Sequence, residues 1–464
     1  MKHIKLKILL LSTILIQISC KKFIDVGPPK NSLVQQTVFQ NDDQAISAVT
    51  GIYAQMAFSN SYASGGNLSV TCLSGLSSDE LFGYSAGTLP FYENQLNADL
   101  LGPQLLYSGP YGSIYSANAI LEGLANQNGV TPQIKMQIQG EALFTRAFAY
   151  FYLVNLYGPV PLQLTTDYKI TEVSSRASVS QIYDQILLDL KAAENLLTDS
   201  YPTTERVRPN KSAAQAMLAR TYLYLNDWKN AEKYASIVIA KKDTYALVDL
   251  NSVFSANSKE AIWQLMPTAN SNTQDGFLFI LNTTPTAVSL SKNLVQNGFE
   301  INDKRRTSWT NSITIGSSTY YYPYKYKIKF SATVTEYSMV LRLAEQYLIR
   351  AEARINNGSI DLGITDLNLL RDRARPEPTT DVPNPIPALT STLTKEAALL
   401  AVEKERRVEL FSEWGHRWFD IKRTKRAEIL LGSIKSHWKP TAILYPIPQE
   451  ELNRNHNITQ NNGY

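Results

Sequence analysis

Apolar positions recur three and four residues apart through long stretches of the chain, and several of these stretches begin at a residue able to cap a helix. Ser178 and Gln181 stand as a capping box ahead of Ile182, Ile186, Leu187, Leu190, Ala193 and Leu197, which share one face at about 3.6 residues per turn. The pattern predicts a helix. Asn210, just after Pro209, heads a second run through Ala214, Met217, Leu218, Tyr222 and Leu225 that breaks at Asn226, and Asp227 heads a third through Ala231, Tyr234, Ala235 and Val238. So short a connection sets these two helices antiparallel, and Ala219 and Ala231 let them approach closely. Phe144 to Tyr157 reads as another helix, as do Leu343 to about Ile355, stopped by Asn357-Gly358, and Ile360 to Leu370, ahead of Pro376.

The positions of Ala219, Tyr222 and Ala231 are those of a tetratricopeptide repeat, in which two small residues and an aromatic pack helix A on helix B. Leu343-Ala344 and Tyr347 open a weaker copy. An irregular helical domain with alanines at these places fits the periodicity equally well. Two segments have no helical period: Asn60 to Gly109 and Thr244 to Val334 are rich in Ser, Thr, Asn, Gly and Tyr, with short alternating runs such as Tyr320 to Ile328 that suggest strands or irregular loops. Inserts of that length usually carry function. Arg375 to Pro387 is proline-rich and reads as a stiff connection. The expected architecture is mainly α, a helical-repeat scaffold with loop-rich insertions at about 60–109 and 244–334 and minor β, forming one domain over 20–464.

The first residues follow a different pattern. Lys2, Lys5 and Lys7 precede an apolar run from Ile8 to Ile16, and Ile18-Ser19 leads into Cys20. The run falls short of the roughly 20 residues that span a bilayer, so 1–19 reads as a cleavable leader and Cys20 as a thiol freed for lipidation. Gln17 stands where such leaders usually have Leu. An ordinary secretory leader with Cys20 incidental is the alternative. Cys72 is the other of the two cysteines, so no disulfide framework is expected, and 44% hydrophobic residues must supply the core. The net charge of +4 loses three lysines with the leader, and both signs are spread along the chain, which gives no electrostatic case for nucleic acid.

Catalytic signatures are equally scarce. His3, His416, His437 and His456 have no metal-ligand spacing, and no GxSxG, P-loop or CxxC pattern occurs. Neither a metal nor a cofactor is expected. Asp79-Glu80 offers two carboxyls, but neighbours in sequence usually diverge, whereas glycoside hydrolysis needs two carboxyls facing across a substrate. Arg406, Arg407, Glu409, Glu413, Arg417 and Asp420 are spaced for ion pairs on or between helices and read as structural. Nothing here argues for an enzyme.

Several blocks, in order, resemble the SusD/RagB lipoproteins of Bacteroidetes outer membranes. They are Lys21-Lys22-Phe23-Ile24-Asp25 with Pro28-Pro29; Asp42-Asp43 ahead of a helix ending Gly51-Ile52-Tyr53; and Glu141 to Leu162, with Arg146-Ala147 and Tyr157-Gly158-Pro159-Val160-Pro161-Leu162. Further on come Leu341-Arg342-Leu343-Ala344-Glu345 with Arg350-Ala351-Glu352-Ala353, and Glu405 to Leu410 followed by Glu413, Gly415, Arg417-Trp418 and Asp420. Leu444 to Pro448 and Asn457 to Tyr464 resemble the family's ending. The resemblance implies paired tetratricopeptide-like helices supporting an irregular ligand-binding half. It also implies a non-catalytic lipoprotein facing outward from the outer membrane. Such a protein captures glycans, or peptides in the RagB branch, and passes them to a SusC-like TonB-dependent transporter; a scaffold without its own ligand is a third reading.

A protein that captures sugars needs flat aromatic faces with polar tips, and 26 tyrosines supply them. The candidates are Tyr84, Phe91 and Tyr92 in the first insert and Trp309, Tyr320, Tyr321, Tyr322 and Tyr324 in the second, where Trp309 follows the charged run Asp303-Lys304-Arg305-Arg306 and reads as part of a surface loop. Strand parity would set Tyr320, Tyr322, Tyr324 and Tyr326 on one side and Tyr321 on the other.

Overall fold

The predicted caps do start helices. In the computed structural model, which describes residues 39–125, 128–268, 272–380, 382 and 385–464, Ser178 and Gln181 close a reciprocal capping box, and the side chains of Asn210 and Asp227 accept from the amides of Ala213 and Asn230. The leader, Cys20, His3 and the block at 21–29 lie outside the described residues. In chain order the longer helices are α1 (Asp42–Ala57), α2 (Val70–Ser77), α3 (Leu101–Ala125), α4 (Pro132–Tyr157), α5 (Val179–Leu196), α6 (Lys211–Tyr224), α7 (Trp228–Ile239), α8 (Leu343–Asn356), α9 (Ile360–Ala374), α10 (Lys395–Leu410) and α11 (His416–Arg423). From α3 to α9 each packs on the next, and α10 returns to α8. Among the described residues no helix is long and apolar enough to cross a membrane.

This is the expected helical-repeat scaffold. Ala219 and Ala231 are fully buried where α6 meets α7, and Tyr222 stacks on Tyr234 with ring centroids 5.6 Å apart. Helix α6 is buried from Ser212 to Leu223, which explains why its apolar face is hard to delimit in the sequence. Buried ion pairs fasten the array. Arg146 on α4 grips both oxygens of Asp189 on α5 at 2.7 and 2.8 Å, and Arg220 on α6 does the same to Glu345 on α8 at 2.6 and 2.7 Å. Trp263 closes the middle, meeting Phe144 and Phe148 edge-on at 5.1 and 5.2 Å.

The inserts are more ordered than their composition suggests. The first holds α2, a short helix at Leu89–Glu93 and the start of α3, whose interior Pro110 had hidden its helical period. The second contributes most of the small sheets. The strands used below are β1 (Leu81–Gly83), β2 (Ala261–Leu265), β3 (Val288–Leu290), β4 (Thr310–Ile315), β5 (Ser318–Pro323) and β6 (Ser338–Arg342). β2 pairs with β6, while the others form one antiparallel sheet in the order β1-β3-β5-β4. The run from Tyr320 to Ile328 is a strand only as far as Pro323, beyond which the missing amide hydrogen and turning backbone end the ladder.

Candidate functional site

β1 belongs to the first insert and β3 to the second, so the sheet stitches the two together with Leu81 opposite Leu290, Phe82 opposite Ser289 and Gly83 opposite Val288. At this junction a cleft of about 720 Å³ opens. Its aromatic wall consists of Phe82, Tyr84, Tyr92, Tyr320 and Tyr321. The Phe82 ring lies 4.9 Å from Tyr84 and 4.4 Å from Tyr92, tilted against both, and Tyr84 meets Tyr320 edge-on at 6.3 Å. Phe82 and Tyr84 are 38% and 39% exposed, too open for core residues. The Tyr84 hydroxyl is fixed by Ser289 Oγ at 2.9 Å, so the ring is held ready.

The opposite side is polar. Asp79, at the end of α2, takes Arg417 Nε at 2.7 Å on one oxygen and Arg407 Nη2 at 2.8 Å and Arg417 Nη2 at 3.1 Å on the other. Burial pushes the Asp79 carboxyl up, but these guanidinium groups outweigh it and hold the group below its ordinary value. Glu80 turns away from the cleft, accepts the Ser412 amide at 3.1 Å, and is pushed up to about 8 by burial. The two neighbouring acids therefore diverge, and among the described residues Asp79 is the one carboxylate lining the cleft. Lys435 donates to the carbonyls of Leu76 and Ser77 and sits 5.3 Å from the Tyr92 ring centroid, its ammonium lowered to about 7 by burial. Leu430 and Ile434 add an apolar patch.

Four of the candidate aromatics meet here: Tyr84, Tyr92, Tyr320 and Tyr321. The others do not. Trp309 is 0% exposed, its indole nitrogen donates to Leu250 O at 2.9 Å, and Phe254 packs edge-on against it at 5.8 Å. Its charged neighbours mislead because Arg305 is itself buried, paired with Asp303, Glu405 and Glu409. Phe91 is 1% exposed and packs on Tyr445. Tyr322 is buried, and its ring pairs edge-on with that of Tyr324 at 5.9 Å; neither lines the cleft. Along β5, Tyr320 meets Tyr84, while Tyr321 lies in register with Leu290 and Leu81 and packs partly against the core, as alternation along a strand requires; both residues line the cleft. Phe82 was legible in principle: in Leu81-Phe82-Gly83-Tyr84 it alternates onto the side of Tyr84. Lys292, Asn293, Arg407, Arg417 and Lys435 reach the site from distant segments and carry no local signal.

Of the charged residues read as structural, Arg406 reaches Asp420 at 2.7 Å and Glu409 and Glu413 pair with Arg342 of β6, but Arg407 and Arg417 pair with Asp79 at the wall of the cleft, so that reading is corrected for these two. His416 is buried beside these cations, and burial lowers its pKa. A wider groove of about 1100 Å³ adjoins the cleft along β3, with Phe277 and Phe330 edge-on at 5.4 Å and Lys329 Nζ capped by the carbonyls of Phe277 and Ile280. Its lining is otherwise mostly amides, hydroxyls and aliphatic groups, without the converging rings of the cleft.

Comparison with known proteins agrees with this architecture. Residues 22–223 match a SusD-like family described as starch-binding and associating with the outer membrane, and residues 290–464 match the SusD family itself. SusD-like protein P2 of Formosa agariphila is 27% identical over 384 residues, covering 70% of this chain and 74% of that protein. A SusD superfamily structure from Bacteroides vulgatus superposes with a TM-score of 0.79 at 21% identity, over 92% of this chain and all of its own. A laminarin-binding SusD-like protein does so with a TM-score of 0.75 at 22% identity, over 91% of this chain and all of its own. With the helical array, the stitched inserts and these matches in agreement, the chain belongs to the SusD/RagB family of carbohydrate-binding, outer-membrane-associated proteins.

Proposed function

We propose that this protein captures an oligomeric glycan in the cleft between its two inserts and hands it, without chemical change, to a partner SusC-like TonB-dependent transporter. The observation that carries this reading is the half-exposed wall of Phe82, Tyr84, Tyr92, Tyr320 and Tyr321, since the CH-lined face of a sugar ring stacks on such rings while its hydroxyls meet the polar side. That one of the proteins sharing this fold binds laminarin supports it. Among the described residues one carboxylate lines the cleft, already locked between two arginines, which suits binding rather than hydrolysis. In this reading Cys20 carries the lipid, and the protein sits on the outside of the outer membrane.

The test is affinity electrophoresis of the leaderless protein through gels containing different polysaccharides, with an oligopeptide mixture tried by calorimetry. Retardation by a polysaccharide that is weakened by Tyr84→Ala supports the assignment. Heat from peptides alone would move the protein to the peptide-capturing branch, and silence from both would leave a scaffold. Cys20→Ala should release the protein from membranes, and copurification with a TonB-dependent transporter should survive Tyr84→Ala.

A further inference from the structure

The cleft has two unlike sides, and the second is cationic. Lys292, Arg407, Arg417 and Lys435 line it against the single carboxylate of Asp79. Leaving aside Lys435, whose ammonium is engaged by two carbonyls, and Arg417, whose side chain is 3% exposed and held by Asp79 and Glu403, Lys292 and Arg407 remain to face a ligand. Asp79 divides its charge between Arg407 and Arg417. Glu403 reaches Arg417 from behind at 3.2 Å but is shared with Arg426 at 2.6 Å, so three guanidinium groups have two carboxylates between them. Glu80, the next nearest acid, is pushed up to about 8 by burial and offsets little of this charge near neutral pH. Lys292 is exposed, without an ion-pair partner among the described residues, and adjoins Asn293, which accepts from Arg407 at 3.3 Å.

The surplus is local. Over the whole sequence 45 basic residues nearly balance 41 acidic ones, and in the adjoining groove Lys329 is the one charged lining residue among the described residues, with its ammonium turned onto two carbonyls. A cleft that excludes part of its water while holding unneutralised cations favours a ligand that brings negative charge. Guanidinium groups in particular match the paired oxygens of carboxylates and sulfates.

We propose that the cleft selects an acidic glycan, in which a sugar ring stacks on Phe82, Tyr84 or Tyr92 while its carboxylate or sulfate ester meets Lys292 and Arg407. This rests on the glycan-capture reading above and narrows it to a substrate class.

The experiment is calorimetric titration of the purified protein with three oligosaccharide sets of similar length: a neutral β-glucan, an oligouronate and a sulfated galactan. Each is run at low and high sodium chloride, about 0.05 and 0.5 M, on either side of strong screening. The expected result is that one acidic set binds about tenfold more tightly than the neutral one, that the preference shrinks at high salt, and that Lys292→Glu weakens the acidic ligand alone. Which acidic set binds tells carboxylate from sulfate. Lys292 is exposed, so unchanged melting of Lys292→Glu is expected and separates lost affinity from lost fold. Equal or tighter binding of the neutral set, or acidic binding indifferent to both salt and Lys292→Glu, would overturn the proposal while leaving glycan capture standing. Binding of no glycan at all would remove both.

Discussion

Trp309 and Tyr84 are both aromatic residues in loop-rich segments, yet their surroundings give them opposite tasks. Replacing Trp309 by Ala empties a fully buried site and should cost about 3–5 kcal/mol, read as a lowered denaturant midpoint, with ligand affinity of the folded fraction little changed. Tyr84→Ala should leave the midpoint within about 1 kcal/mol and lower glycan affinity roughly tenfold, because its ring is half-exposed at the cleft wall. The sequence could not separate them. A charge beside an aromatic signals the surface only if it faces water, and Arg305 instead faces Glu405, 100 positions away. Glu80 supplies a pH test. Its folded pKa, about 8, lies above that of an unfolded glutamate, so the folded state holds the extra proton. The stability this contributes is complete below the unfolded value near 4.3 and drains away as pH rises towards 8. Glu80→Gln cannot ionise, so its melting temperature should gain on that of the parent between pH 5 and about 8. Parallel melting curves across that range would refute the assignment.

At the scale of elements, helices were readable and strand partners were not. Capping residues and periodicity are local, so Ser178, Asn210 and Asp227 announced their helices with no knowledge of the rest. Pairing of β1 with β3 joins residues about 200 positions apart, as the Tyr84–Ser289 contact does at a separation of 205, and three-residue strands carry almost no pattern. The aromatic half of the site could be proposed from composition, whereas its cationic half arrives on α10, α11 and the segment after β3. Gly415, the cap of α11, positions part of it. Its φ of +71° lies in the left-handed region, and an added Cβ would stand 2.8 Å from Ser74 Cβ. Gly415→Ala should therefore cost at least about 1–2 kcal/mol. It should also weaken acidic-ligand binding in the molecules that remain folded, because Arg417, two residues along, helps fix the Asp79 carboxylate that positions Arg407. Binding unchanged at full stability would count against this coupling.

In the whole molecule, a buried ionic hub ties the second insert to the scaffold. Arg342, at the end of β6, reaches Glu260, Glu409 and Glu413 at 2.7–2.8 Å, and Arg305 joins Glu409 from the other side at 3.0 Å. Removing one member strands its partners, so Arg342→Ala should destabilise the fold by about 3–5 kcal/mol. Being buried, the hub should feel salt little, so the midpoint of the parent protein should change slightly between low and high sodium chloride while acidic-ligand affinity falls steeply. A midpoint as salt-sensitive as ligand binding would place the stabilising charges at the surface instead. The sheet shared by the inserts bears on redesign. The first insert contributes the edge strand β1 and the second the other three, so transplanting one alone onto a related scaffold would leave a raw edge prone to self-association. On the proposed reading, ligand preference is a two-part cassette, to be moved between scaffolds only as a matched pair.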